Sequence, residues 1–192
     1  MGNNSHTIGE YGLNGSTVNA DLITEVGYPY GLTISGNDLF VANEGNGTIG
    51  EYTTAGTTVN ASLISGLSSP AGIAISGNDV FVANSGNGTV GEYTTSGTLI
   101  NASLISGLDG ADGIAISGND LYVVNLGNGT IGEYTTAGAT VNSDLISGLD
   151  EPLSIVISPA PVPEPSTLAL AGTGSIIAWL FLWRRKPKFQ PC

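Results

Sequence analysis

Few side chains in this sequence can move a proton or attack a bond. Its single histidine, His6, comes ahead of the first expected strand. General acid–base catalysis needs a positioned group, and an exposed terminal histidine is not one. The single cysteine, Cys192, is the last residue, so no intrachain disulfide can form. No phosphate-cradling glycine loop, Cys/His cluster or activated serine is visible. What recurs is acidic and amide chemistry. Glu10, Glu51, Glu92 and Glu133 occupy one position in successive copies of a repeat, and Asp38, Asp79 and Asp120 another. A ring of glutamates around an axis would be costly without a cation between them. Because they fall on a strand that is not innermost, they are expected at a soluble edge. The aspartates each follow a Gly-Asn pair and read as turn residues. Asn-x-Ser/Thr triplets such as Asn46-Gly47-Thr48 match a glycosylation acceptor, but their place in the repeat reads as turn composition.

The spacing of these residues defines the elements that must hold them. The text T-[IV]-G-E-Y begins at Thr7, Thr48, Thr89 and Thr130, each 41 residues after the last. A fixed period near forty with several short strands per copy is the signature of a propeller blade. The stretch PAGIAISGNDVFVANSGNGTVGEY from Pro70 to Tyr93 returns, slightly altered, from Pro29 and from Ala111. Each copy reads as four strands. P-x-G-I-A-I-S is the first, and a Gly-Asn step (Gly36-Asn37, Gly77-Asn78, Gly118-Asn119) is a strong hairpin signal into the second, DLFVAN or its variants. A Gly-Asn-Gly turn leads to the third, T-[IV]-G-E-Y, and TTVNASLI or its variants make the fourth and outermost. The first strand lacks clean polar/apolar alternation, as expected where both faces of a sheet are covered. Phe40, Phe81, Tyr122 and the repeat tyrosines Tyr11, Tyr52, Tyr93 and Tyr134 are expected to fill the space between blades.

The chain opens at strand three of a copy (Thr7–Tyr11), runs through three full copies, and reaches strand one of the next at Leu153–Ser158. Residues 1–158 are therefore expected to form an all-β propeller of about four blades, possible in two arrangements. Either the leading pair of strands and the trailing strand meet to complete a fourth blade, or the arc stays open and its bare edges invite self-association.

Charge is confined by sign. Of 192 residues, 16 are acidic and four basic, for a net charge of −12. The four are Arg184, Arg185, Lys186 and Lys188, so residues 1–183 contain no Lys or Arg. Nucleic-acid binding depends on neutralising phosphates with cations, which excludes this body as a DNA or RNA binder. An acidic body reads first as a solubility device, with calcium as the ligand it would otherwise attract.

After the repeats comes a stiff Pro-rich linker at 159–167 (PAPVPEPS and one more residue), then an uncharged apolar stretch, Leu168–Trp183. As a helix that stretch would span roughly 24 Å, against about 30 Å for a bilayer core. Trp179 and Trp183 lie near its end, and Arg184-Arg185-Lys186 follow at once. Interfacial aromatics with cations just beyond them are what a membrane helix uses to set depth and orientation, which places the basic tail, 184–192, in the cytoplasm and the repeats outside.

This tail is similar to the PEP-CTERM sorting signal of bacteria, through Val162-Pro163-Glu164-Pro165-Ser166, the apolar stretch and the Arg184-Arg185-Lys186 cluster. The resemblance implies export, recognition by an exosortase, cleavage near the motif, and release or attachment at the cell surface, with links to extracellular polysaccharide. It also implies an N-terminal signal peptide. MGNNSHTIGEYG has neither a basic n-region nor an apolar run, so a lost or unread upstream part is expected.

The repeats resemble NHL-type and streptogramin-lyase-like propellers over residues 7–158, through P-x-G-I-A-I, L-[FY]-V-[AV]-N and N-G-T-[IV]-G-E-Y. The lyase likeness implies a His general base with an acidic partner, for which His6 is ill placed. Gluconolactonase-type propellers hold a divalent cation on the axis. Here the corresponding residues would be Asn43, Asn84 and Asn125, with Glu44 beside the first, a poor donor set for a hard cation. Turn chemistry is the expected role of these asparagines, since Asn bonds its own backbone and accepts a left-handed conformation.

The expectation is thus an exported, non-enzymatic binding or scaffold protein without a cofactor. Its partners would be an exosortase, the membrane, and extracellular polysaccharide or protein. The alternatives are a propeller lyase or lactonase whose catalytic blades lie upstream, or a truncated gene remnant.

Overall fold

A computed structural model describes residues 6–158. It holds fourteen β-strands: β1 (Ile8–Tyr11), β2 (Thr17–Ile23), β3 (Pro29–Ser35), β4 (Asp38–Asn43), β5 (Thr48–Thr53), β6 (Thr58–Ser65), β7 (Pro70–Ser76), β8 (Asp79–Asn84), β9 (Thr89–Thr94), β10 (Leu99–Ile105), β11 (Ala111–Ser117), β12 (Asp120–Asn125), β13 (Thr130–Thr135) and β14 (Thr140–Ile146). Among the described residues the one helical element is a single 3-10 turn, Glu44–Asn46. Strands β3 to β6, β7 to β10 and β11 to β14 form three four-stranded antiparallel blades in simple up-and-down order, and β1 pairs with β2 alone. The fold is an all-β propeller architecture built on the 41-residue repeat.

Each blade starts with a two-residue hairpin in which Gly36, Gly77 or Gly118 takes φ near +60°. Glycine at the first central position of such a turn lets the right-handed twist of the flanking strands continue. Strand two is the buried heart of every blade, and its alternate residues serve opposite seams. Leu39 and Val41 pack back against Ile8, Leu22 and Ile23 of the leading pair and against Val26 just beyond it. Phe40 and Ala42 pack forward against Ile73, Val80 and Val82 of the second blade. One step on, Phe81 and Ala83 meet Ile114, Leu121 and Val123 of the third. The hydrophobic core is therefore a set of seams between sheets, as expected for a stack of repeats that cannot bury their faces alone.

The T-[IV]-G-E-Y motif has a physical reading in this packing. A Cβ on Gly50, Gly91 or Gly132 would lie within 3 Å of the ring or hydroxyl of the tyrosine two residues on. The ring folds over the bare glycine and the tyrosine is buried (Tyr52, Tyr93 and Tyr134). Tyr11 is 61% exposed, so the first repeat tyrosine does not fill a seam as expected.

Glycine on strand one is needed for close approach. A Cβ on Gly31 or Gly72 would collide with the carbonyl oxygen of Ala71 or Asp112 on the next inner strand, and one on Gly113 would sit 2.8 Å from that of Leu153. The inner strands pack backbone against backbone near the axis. Strand one of the first blade differs from the others: its residues alternate between half-buried and exposed, whereas Ala71, Ile73 and Ala74 of the second blade are all buried.

The expected fourth-blade strand at Leu153–Ser158 is not formed. This segment makes no ladder and shares no sheet with β1 and β2. It runs alongside β11 and lends Ile155 to a cluster with Val124 and Ile131. No ladder bonds it to a second strand, and Ile155 packs it against blade three. The composite blade is absent, and the described residues form an arc.

Candidate functional site

The recurring polar residues separate onto the two ends of the strands. At one end lie the starts of the inner strands and the ends of β4, β8 and β12. Here Asn43, Asn84 and Asn125 are 2–3% exposed. Each amide donates from Nδ2 to the threonine that opens strand three, Thr48 or Thr89 at 3.4 Å and Thr130 at 3.1 Å. Asn43 has φ −98°, outside the left-handed region. The turn-former role expected for these residues is replaced by another: they clamp the loop between strands two and three from inside. Their Oδ1 atoms accept no bond from any described residue. Tyr52 lies beside Asn43; burial pushes its phenol up, and the amide partly offsets this.

The same end holds two residues that the repeat pattern did not single out. Asp112 is 3% exposed, and its Oδ2 accepts from the hydroxyl of Tyr30 at 3.1 Å. That bond links the inner strands of blades one and three, reaching past blade two. Burial raises the Asp112 carboxyl to about 6, the Tyr30 bond opposes this, and the Glu44 charge adds to it. The available signal was a departure from the repeat: Asp112 and Tyr30 stand where the other copies have Ala71 and Leu153.

At the opposite end sit the Gly-Asn hairpins with Asp38, Asp79 and Asp120. Each of these opens strand two, and Glu51, Glu92 and Glu133 lie close by on strand three. These glutamates are half-buried, less exposed than a soluble edge requires, while Glu10 is exposed. Burial raises the Glu51 and Glu92 carboxyls, and the neighbouring Asp38 and Asp79 add repulsion. In the third blade the Tyr122 hydroxyl donates to Glu133 at 3.0 Å, and burial, then this bond and charge, push the phenol up to about 12. An open groove of about 610 Å³ between blades one and two is lined by Asp38, Glu51, Asn60, Asn78 and Ser96 among others. Its hydroxyls, amides and acids can exchange hydrogen bonds with a polar ligand. Among the described residues no three His, Cys, Asp or Glu side chains gather as metal ligands would.

His6 is half-buried, its ring stacked on Tyr28 at 3.8 Å and 40°, where an exposed position was expected. The sorting-motif residues (Val162 to Ser166, Arg184, Arg185, Lys186), the linker, the apolar stretch 168–183 and Cys192 lie outside the described residues. Among those described, no helix is long and apolar enough to cross a membrane.

Comparison with known proteins defines the two parts separately. Residues 161–186 match the family model of the PEP-CTERM protein-sorting motif. The chain therefore carries that motif, which marks a secreted, envelope-directed protein processed by an exosortase. The repeats are similar in structure to streptogramin B lyase, with 20% identity and a TM-score of 0.57 over 68% of this chain and 45% of that one. They are also similar to virginiamycin B lyase from Staphylococcus aureus, with 22% identity and a TM-score of 0.59 over 77% and 52%. The computationally designed Ika8 protein gives 19% and 0.56 over 79% and 47%. The chain thus spans about half the length of these proteins, and the likeness establishes the propeller fold. No curated protein matches the chain in sequence.

Proposed function

We propose that this chain is a non-enzymatic binding or scaffold module of the bacterial envelope or extracellular matrix. The match of residues 161–186 to a protein-sorting motif carries the reading. Before processing, residues 168–183 hold the chain in the membrane, with the blades outside and 184–192 in the cytoplasm. The partner is an extracellular polysaccharide or protein. The half-buried acids Asp38 and Glu51 and the exposed amides Asn60 and Asn78 of the inter-blade groove support this, being suited to hydroxyl-rich chains.

The test is expression behind a signal peptide in an exosortase-bearing bacterium, with one tag on the blades and another after Lys186. The blades are expected in the envelope or medium without the C-terminal tag. Replacing Pro163, Glu164 and Pro165 by alanine should leave both tags together in the membrane. Blades recovered as a soluble cytosolic species would overturn the proposal.

The structural likeness to two lyases favours a second reading, a lyase or lactonase whose catalytic blades lie beyond these residues. Turnover of a streptogramin or a lactone by a longer protein that includes the upstream blades, and not by residues 1–158 alone, would replace the first reading with this one.

A further inference from the structure

The two ends of the arc expose complementary halves of one seam. In the interior, Ile73 and Ile114 of strand one are 7% and 8% exposed, each covered by the preceding blade. The equivalent residue at the leading end, Leu32, is 55% exposed, and Ile34 is 60%. An open groove of about 270 Å³ runs between β1 and β3, lined by Ile8, Gly9, Pro29 and Leu32 among others. At the trailing end Val156 is 64% exposed. It occupies the register of Ala74, which is buried in one cluster with Ile114 of the following blade. Leu32 therefore lacks the neighbour that Val156 could supply, and Val156 lacks the neighbour that Leu32 could supply.

We infer that two copies of this chain join end to end, residues 153–158 of each lying along β3 of the other, so that two arcs close one ring. The geometry admits this closure, because the arc follows about half of larger propellers, 45–52% of their lengths. Two identical seams related by a two-fold axis leave no end open, whereas the same contact without closure would build a filament. The occupant is an inner strand, since inner strands are what lie against β7 and β11 inside the arc. One residue sets the tightness of the seam. Ser154 stands where Gly72 approaches the Asp112 carbonyl, so its Cβ would press on the Tyr30 carbonyl of the partner. The proposal deepens the scaffold reading but does not depend on sorting: a dimer can form whether or not the tail is cut.

The test uses the full chain in mild detergent with Cys192→Ser as background, so that a tail-driven contact can be told apart. A Leu32→Cys chain mixed with a differently tagged Val156→Cys chain is expected to form a disulfide-linked pair under mild oxidation. Either chain alone should form it at least ten times more slowly. Ser154→Gly should tighten the dimer several-fold in sedimentation. Leu32→Asp should loosen it at least ten-fold while the circular dichroism of the blades is retained. A monomer at tens of micromolar, crosslinking indifferent to the Cys pairing, or an unchanged constant in Ser154→Gly would overturn the inference.

Discussion

Asp112 is the residue whose chemistry departs furthest from its type. In the unfolded chain its carboxyl ionises near 3.8, whereas the folded protein holds the proton until about 6. The unfolded state therefore loses its proton first, and stability falls as pH rises through that window, then levels off above it. The full shift corresponds to about 3 kcal/mol, and water at the open end of the blades should screen it to about 1–2 kcal/mol. Urea midpoints should thus fall between about pH 4 and 6, and Asp112→Asn should flatten the slope while keeping an acceptor for Tyr30. A wild-type profile flat across that range would refute the assignment. Backbone strain gives a second residue-scale prediction. Ser69, at φ +47°, stands where the next copy has Gly110. Ser69→Gly should raise stability by up to about 1 kcal/mol. Gly72→Ala should lower it by 2 kcal/mol or more, since its methyl would meet the Asp112 carbonyl. Thermal melts of both variants check the pair.

At the scale of the strand, the fourth member of each sheet owes its register to one side chain. The ladders between strands three and four slip beside Glu51–Asn60, Glu92–Asn101 and Glu133–Asn142. At each slip the asparagine Oδ1 accepts the backbone N–H two residues on, at 3.1 Å. The side chain satisfies a donor that the ladder releases, which fixes the bulge in place. Replacing Asn60, Asn101 and Asn142 together by alanine should cost about 0.5–1 kcal/mol per site. It should also speed amide exchange at Ser62, Ser103 and Asp144 before any loss of the inner strands. These hairpins, the Gly-Asn turns and the buried second strand were legible in the sequence because they depend on neighbours within one copy. The Asn clamp was misread as a turn, because Asn favours both roles and only the position of Thr48 decides between them. The Tyr30–Asp112 bond could not be read at all, since it joins copies that are not adjacent.

At the scale of the molecule, repetition disclosed the kind of ring but not its closure. Leu153–Ser158 reads as a strand by pattern, yet a strand needs a ladder, and among the described residues none forms along it. The segment is held by Ile155 against blade three. Ile155→Asp should therefore release residues 153–158 while leaving three blades folded. Limited proteolysis by a non-specific protease would show this as a cut near Leu153 with the rest intact. Simultaneous collapse of all blades would mean that the segment is integral to the third sheet. The tail is legible for a different reason: a sorting signal works by the order of its parts, and order is what a sequence records directly.

The cation-free blades have a practical corollary. Trypsin cuts after lysine or arginine, and residues 1–183 offer it neither. A tryptic digest prepared for mass spectrometry would return the repeats as one uncut stretch of well over a hundred residues, too large for routine detection. Tryptic peptide surveys would overlook this stretch even where it is abundant, unless a protease cutting at acidic or apolar residues were used.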